Sequence, residues 1–166
     1  MEKVRKGLAR DLVAEVRTLD KQLAANAADL KKLVMAANSR LMHTPGIGPV
    51  LAARLIARGG RASRCPTTAA FANYTGTAPV EIASADKSRQ RLSRSGNRQL
   101  NSVLHTIAIS QVCMPNSSGH VYYQRKLSEG KTPREARRCL KRRLADHIRK
   151  VMLADERRAR PPAVTP

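Results

Sequence analysis

Leu12, Val16, Leu19, Leu23, Leu30 and Leu33 stand at alternating steps of four and three, with Asn26 filling the remaining seam position. This spacing keeps an apolar stripe on one side of a helix that winds against a partner. Ala24, Ala25, Ala27 and Ala28 reinforce helix by propensity. The chain from about Val4 to Met42 is therefore expected to form one rod, of which Leu12 to Leu33 alone spans about 30 Å. A rod with one apolar stripe must bury it, against a partner strand or against the domain that follows, and the spacing leaves both open. Asn26 costs stability in such a seam but can select register.

After the rod comes His43-Thr44-Pro45-Gly46-Ile47-Gly48-Pro49-Val50, then a helical run to the Gly59-Gly60 pair. A Gly-hydrophobic-Gly turn between helices, with proline in the first turn of the second, is the pattern of a helix-hairpin-helix. Its free N–H groups suit a phosphate. An ordinary helix-helix turn would carry the same letters. Ala52 and Ala53 allow close packing, and a short helix ending at Tyr74 is expected to cover the hairpin through Ala70, Phe71 and Tyr74. Farther on, Leu100, Val103, Leu104, Ile107, Ala108 and Val112 line one face of a helix over 97–113. His105 is expected off that face, as a surface or half-buried polar group. HVYYQRKLSEG forms another short helix. Thr132-Pro133-Arg134-Glu135 is a capping box that opens the last one. That helix has a core stripe of Ala136, Leu140, Leu144, Ile148, Val151 and Met152 under a basic surface, with a disordered tail beyond it.

Between the helical blocks, Gly76 to Asn101 is the least helix-like stretch, and no helical period can be drawn through Ser84 to Ser95. It carries Lys87, Arg89, Arg91, Arg94 and Arg98 against Glu81 and Asp86, with hydroxyls at Ser84, Ser88, Ser93 and Ser95. A long cationic loop of this kind is either a connector or a segment held out to meet an anion. The whole chain favours the second. Lys and Arg total 32 against 12 acids, a formal net charge of +20, and an excess of that size points to a polyanion. One Phe, three Tyr and no Trp leave little to stack single-stranded bases, so contact with duplex phosphates fits better. No apolar run approaches the ~20 residues needed to span a bilayer, and the charged N-terminus is unlike a secretory signal. Cys65, Cys113 and Cys139 form no CxxC pair and no zinc spacing with His43, His105, His120 or His147, which suits reduced cysteines in the cytoplasm.

Several chemistries are excluded on spacing. Gly130-Lys131-Thr132 lacks the upstream glycine of a P-loop, since Arg125 stands there. His147-Ile148-Arg149-Lys150 has no following tyrosine to serve a tyrosine recombinase. The acids sit on the rod (Asp11, Glu15, Asp20, Asp29) or singly, so no two-metal site assembles. A loop serine needs a base, a metal or a cationic field to become a nucleophile, and composition does not choose among the four.

Taken together, HTPGIGPVLAARLIARGG, AAFANYTGTAPVE, RLSRSGNRQLNSVLHTIAISQ and VYYQRKLSEGKTPREARRCLKRRLAD resemble the C-terminal domain of insertion-sequence transposases of the 110/116/902 type, also called bridge-RNA-guided recombinases. The resemblance covers residues 43–153, and the rod is similar to the coiled-coil helix that joins the two catalytic domains of that family. It implies a serine nucleophile in a Ser-Gly step after the "APxE" element, which falls on Ser84. It implies Mg²⁺ held by an N-terminal RuvC-like domain, and an oligomer working on double-stranded DNA with a structured guide RNA. Here Ala85 stands in the place of the family's glycine. Residues 1–42 cannot hold a ribonuclease-H-like sheet, so the chain is expected to have no cofactor of its own and to be a truncated, split or decayed transposase.

The expectation is an all-α fold: a coiled-coil helix (1–42), a helix-hairpin-helix domain with a long basic loop (43–153) and a tail (154–166). Ser84 is the expected nucleophile. Gly46, Ile47, Gly48, Lys87, Arg89, Arg91, Arg94, Asn97, Arg98, Arg138 and Arg142 are the expected DNA or RNA contacts, and no residue is a metal ligand. Pairing into a homo-oligomer through the N-terminal helix is expected, with no membrane partner. The alternative is a non-catalytic basic DNA/RNA-binding remnant that dimerises through the rod. A ribosome- or RNA-associated helix-hairpin-helix protein fits the residues around Ser84 and YYQRKL less well.

Overall fold

The rod is the first element of the computed structural model, which describes residues 1–84, 87–92 and 96–159, with backbone alone over 80–84 and 87–92. Helix α1 runs Glu2–Ala36, α2 Pro49–Gly59, α3 Thr68–Tyr74, α4 Arg98–Val112, α5 Ser118–Ser128 and α6 Pro133–Ala159. Strands β1 (Pro79–Ser84) and β2 (Lys87–Leu92) form one antiparallel ribbon between α3 and α4. The packed body is all-α, as the periodicities predict.

Helix α4 is the central element, packed against α2, α5 and α6. Its predicted stripe is buried at Leu100, Val103, Leu104, Ile107 and Ala108, facing Leu55 of α2 and Leu140 and Ile148 of α6 in one core cluster with Phe71. Each such aliphatic side chain contributes roughly 1.5–3 kcal/mol when taken fully from water. The predicted stripe of α6 is buried at Ala136, Leu140, Leu144, Ile148 and Met152, while Val151 is half-buried. The capping box forms as expected. Glu135 Oε2 accepts from Thr132 N at 2.9 Å and from its hydroxyl at 2.7 Å, and Glu135 N donates back to Thr132 Oγ1. Helix α3 packs chiefly on α6, and the Tyr74 hydroxyl reaches Arg58 O of α2 at 2.9 Å.

Two expectations change. The rod ends at Ala36, six residues before Met42, because Asn38 adopts φ 51 and turns the chain. The connector is then tied to the far end of the molecule: Asp155 Oδ2 accepts from Ser39 Oγ at 2.8 Å and Arg40 N at 3.1 Å. Its neighbour Glu156 holds the backbone of Ala62 and Ser63 in the same way. The second change concerns the basic loop. It contains a ribbon, with Pro79 paired to Leu92, Val80 to Arg91, Ile82 to Arg89 and Ser84 to Lys87. Val80-Glu81-Ile82 alternates with period two, which suits a strand, and a search for helical period passes over it.

Candidate nucleic-acid interface

The ribbon rises from a buried base. Thr75, Gly76, Thr77 and Ala78 are all buried. The Thr75 hydroxyl donates to Phe71 O at 2.9 Å, and Thr77 N donates to Ala72 O at 2.8 Å, so the chain leaves α3 along one route. On the returning side Asn97 N donates to Tyr74 O at 2.7 Å. Gly96 lies so close that a Cβ there would stand 2.2 Å from Gly76 N, which no side chain tolerates. Asn97 then caps α4, its Oδ1 accepting from Gln99 N at 3.0 Å and Leu100 N at 3.1 Å.

One turn into α4, Asn101 completes the base. Its Nδ2 donates to Thr75 O at 3.2 Å and Gly76 O at 2.6 Å, while its Oδ1 accepts from Lys141 Nζ at 2.6 Å. Lys141 is 4% exposed, and burial pushes its pKa below the ordinary 10.5. A lysine in the core of α6 thus orients an amide of α4 that grips two carbonyls at the root of the ribbon. His105, exposed one turn farther along α4, has its pKa lowered by partial burial and then by Lys141 and Arg137.

The glycine turn sits toward the other end of α4. Gly46 adopts φ 79, and a Cβ there would meet Ser110 Cβ at 3.1 Å. Gln111 Nε2 donates to Pro45 O at 2.7 Å. Ile47 is 5% exposed and its N–H bonds Thr44 O at 3.1 Å, so its side chain belongs to the core and its donor is spent. Gly48 is open, with nothing within 4 Å of a Cβ, and Pro49 begins α2 as predicted. Beside the turn, Thr44 Oγ1 lies 2.9 Å from His147 Nε2 of α6. His147 is exposed, and its pKa is lowered by desolvation and then by Lys150 and Arg143, the exposed cations one turn to either side. From Asn97 to Ser110 the helix rises about 20 Å. The ribbon's stem and the glycine turn therefore stand apart on one helix.

The predicted contacts divide accordingly. Lys87, Arg89 and Arg91 occupy every second position of β2, and Ser84 ends β1 opposite Lys87. Arg94 lies outside the described residues. Arg98 is exposed in the first turn of α4, beside the stem. Asn97 is committed to capping, and Arg142 to an ion pair with Asp146 one turn along. Arg138 is half-buried on α6. The Arg149 guanidinium donates to Cys65 O at 2.7 Å and Pro66 O at 2.8 Å, so it serves the fold. Around Tyr122, Arg125, Lys126 and Arg143 lie 5.0, 5.5 and 4.7 Å from the ring, a cationic cluster joining α5 to α6.

Asn101 and Lys141 escaped the sequence reading, although a signal existed. Lys141 falls three residues before Leu144 and seven before Ile148, on the buried face by helical spacing. Its charge alone argued for the surface. Gln111, a second polar residue in the interior, is 2% exposed. Gly119 lets it lie there, because a Cβ at that position would stand 1.9 Å from Gln111 Oε1.

Among the described residues no group of three or more His, Cys, Asp or Glu could hold a metal ion. No described helix is long and apolar enough to cross a membrane. A family model described as transposase IS116/IS110/IS902 family matches residues 38–124, from the connector after α1 through the turn, ribbon, α4 and most of α5. No curated protein matches the chain.

Proposed function

The chain belongs to the transposase IS116/IS110/IS902 family, and from that premise we propose that it grips a double-stranded DNA backbone along the ribbon and the glycine turn during transposition, with Ser84 as the attacking nucleophile. The observation that carries this reading is the ribbon's stem. Three basic residues alternate along β2, next to the serine that ends β1, on a support locked by Gly96, Asn97, Asn101 and Lys141. A cationic strand on a rigid base suits a phosphate backbone, which it positions without reading sequence. In the proposed step the Ser84 hydroxyl oxygen forms a bond to a DNA phosphorus as one phosphorus–oxygen bond of the strand breaks. The serine's proton goes to a base and the departing sugar oxygen takes one up, so the ester count is unchanged and rejoining is the reverse. A RuvC-like domain, in cis or in trans, is proposed to bring the carboxylates and Mg²⁺. A structured guide RNA is the proposed second polyanion, two copies are proposed to pair through α1, and the cytoplasm is the proposed setting.

Strand exchange with the RuvC-like domain, Mg²⁺ and guide RNA present tests the chemistry: Ser84→Ala is expected to abolish it, and undiminished exchange would reject the assignment. Duplex binding tests the grip. Replacing Lys87, Arg89 and Arg91 with alanine should flatten the slope of log K against log salt by about 0.9 for each phosphate no longer neutralised.

A non-catalytic binding role is the second reading, supported by the net charge of +20. It predicts the same salt dependence, on duplex and structured RNA alike, with no strand exchange under any supply of metal or partner domain.

A further inference from the structure

Helix α1 leaves most of its apolar stripe uncovered. Leu8, Leu12, Val13, Val16, Leu19 and Leu23 are 48% to 66% exposed. The last turns differ, because Ala27 and Leu30 are half-buried and Val34 is 2% exposed, packed on the chain's own domain. Beyond Asn26 the domain covers the seam only in part, with Leu33 still 65% exposed, and the fully free part runs up to Asn26. Within it the spacing is symmetric: Leu12 and Leu23 lie equally far from a midpoint between Arg17 and Thr18, as do Val16 and Leu19. A stripe symmetric about its own midpoint matches a reversed copy of itself, the requirement for a two-fold interface.

We infer that α1 pairs antiparallel with α1 of a second copy, centred between Arg17 and Thr18, so that Val16 meets Leu19 of the second copy and Leu12 meets its Leu23. This deepens the pairing through α1 proposed above and rests on it. Charge at the seam's edges selects the arrangement. In a parallel pair Glu15 would flank Asp20 of the other copy twice, once on each side, and like charges at these positions disfavour pairing. In the antiparallel pair Glu15 flanks Gln22 and Asp20 flanks Val13. Sliding the antiparallel pair by one heptad restores conflict: one direction sets Asp20 against Asp20 and Glu15 against Asp29, the other Glu15 against Glu15. Only the centred register covers Leu12, Val16, Leu19 and Leu23 together without an acidic clash. It also leaves Leu30 and Val34 to the domain that already covers them, and puts Asn26 at the edge of the pair.

Each domain then hangs about 25 Å from the midpoint, so the two attachment points lie roughly 50 Å apart, on opposite ends of the rod. That separation is on the order of 15 base pairs of duplex. The pair is built to hold two distant stretches of nucleic acid, since its two binding surfaces do not adjoin.

Sedimentation equilibrium of the full chain and a spin-label distance test this together. Gly7 is exposed and a Cβ there meets nothing within 4 Å, so Gly7→Cys leaves the fold intact. It is labelled in a background where exposed Cys113 and half-buried Cys139 are serine, while Cys65 is buried. The centred antiparallel pair predicts a dimer with the labels about 30 Å apart, and a one-heptad slip changes that by about 10 Å. A dimer with labels about 10 Å apart is parallel and overturns the inference alone. A monomer overturns the inference and the pairing on which it rests.

Discussion

Helices α1 and α6 are both long and amphipathic in sequence, yet they have opposite fates. Over 27 residues α6 buries Ala136, Leu140, Lys141, Leu144, Ala145, Ile148 and Met152. Over 35 residues α1 buries Val34 alone. Their apolar residues are alike in type and helical in spacing. What separates them is the neighbour. Helix α6 meets α3, α4 and α5 along its length, whereas α1 meets α2 at its last turns and leaves the rest to solvent or to another chain. A helical period states that a face will be buried, and it says nothing about whose surface buries it.

The sharpest way to break this contrast is to truncate one leucine in each helix. Leu144→Ala removes a side chain that is 4% exposed and should cost about 2–5 kcal/mol in urea unfolding. Leu12→Ala removes one that is 53% exposed and, measured dilute enough to keep chains apart, should cost at most about 0.5 kcal/mol. Equal losses would mean that α1 is held within its own chain. The capping box sharpens the comparison at the helix starts. Thr132→Ala should cost α6 roughly 1 kcal/mol, an effect with no counterpart in α1, whose first residue makes no side-chain cap.

Lys141 sharpens it in a third way, through pH. Unfolded, this lysine holds its proton up to about 10.5, whereas burial lowers the folded value. Between the two values the unfolded chain binds more protons, so the native state gains stability as pH rises through that window, and the full penalty applies below it. Lys141→Met should remove this part of the pH dependence, read as the difference between the two unfolding profiles. Because Lys141 Nζ also orients Asn101, the variant should loosen the root of the ribbon and speed amide exchange at Gly76 and Asn97. Unchanged exchange there would show that the Asn101 grip does not depend on the lysine.

The candidate site was legible in composition and hidden in detail. The basic stretch after Gly76 announced an anion partner through its arginines, and Pro49 after Gly48 announced the start of α2. Neither revealed that Ile47 is core, that Asn97 is a cap, or that Arg142 and Arg149 are occupied within the fold. Arg149 depends on Cys65 and Pro66, far away along the chain and beyond the reach of any local pattern, whereas the Asn97 cap and the Arg142–Asp146 pair lie within one turn.

Local physics made the helices legible. The spacings of Leu100 to Ala108 and of Ala136 to Met152, and the Thr132–Glu135 box, involve partners within a turn or two, so the sequence by itself determined where α4 and α6 lie and which face each buries. Tertiary structure alone decided the rest. Lys141 and Gln111 are buried because Asn101 and Pro45 O meet their polar ends, and a polar group enters a core only where such a partner exists. The connector after the rod is held where it is because its donors find Asp155, more than a hundred residues away. Gly76 and Gly96 must be glycine because the two ends of the ribbon's stem meet there, Gly76 at φ 64 and Gly96 with no room for a Cβ, a contact that exists only once the chain has folded back on itself.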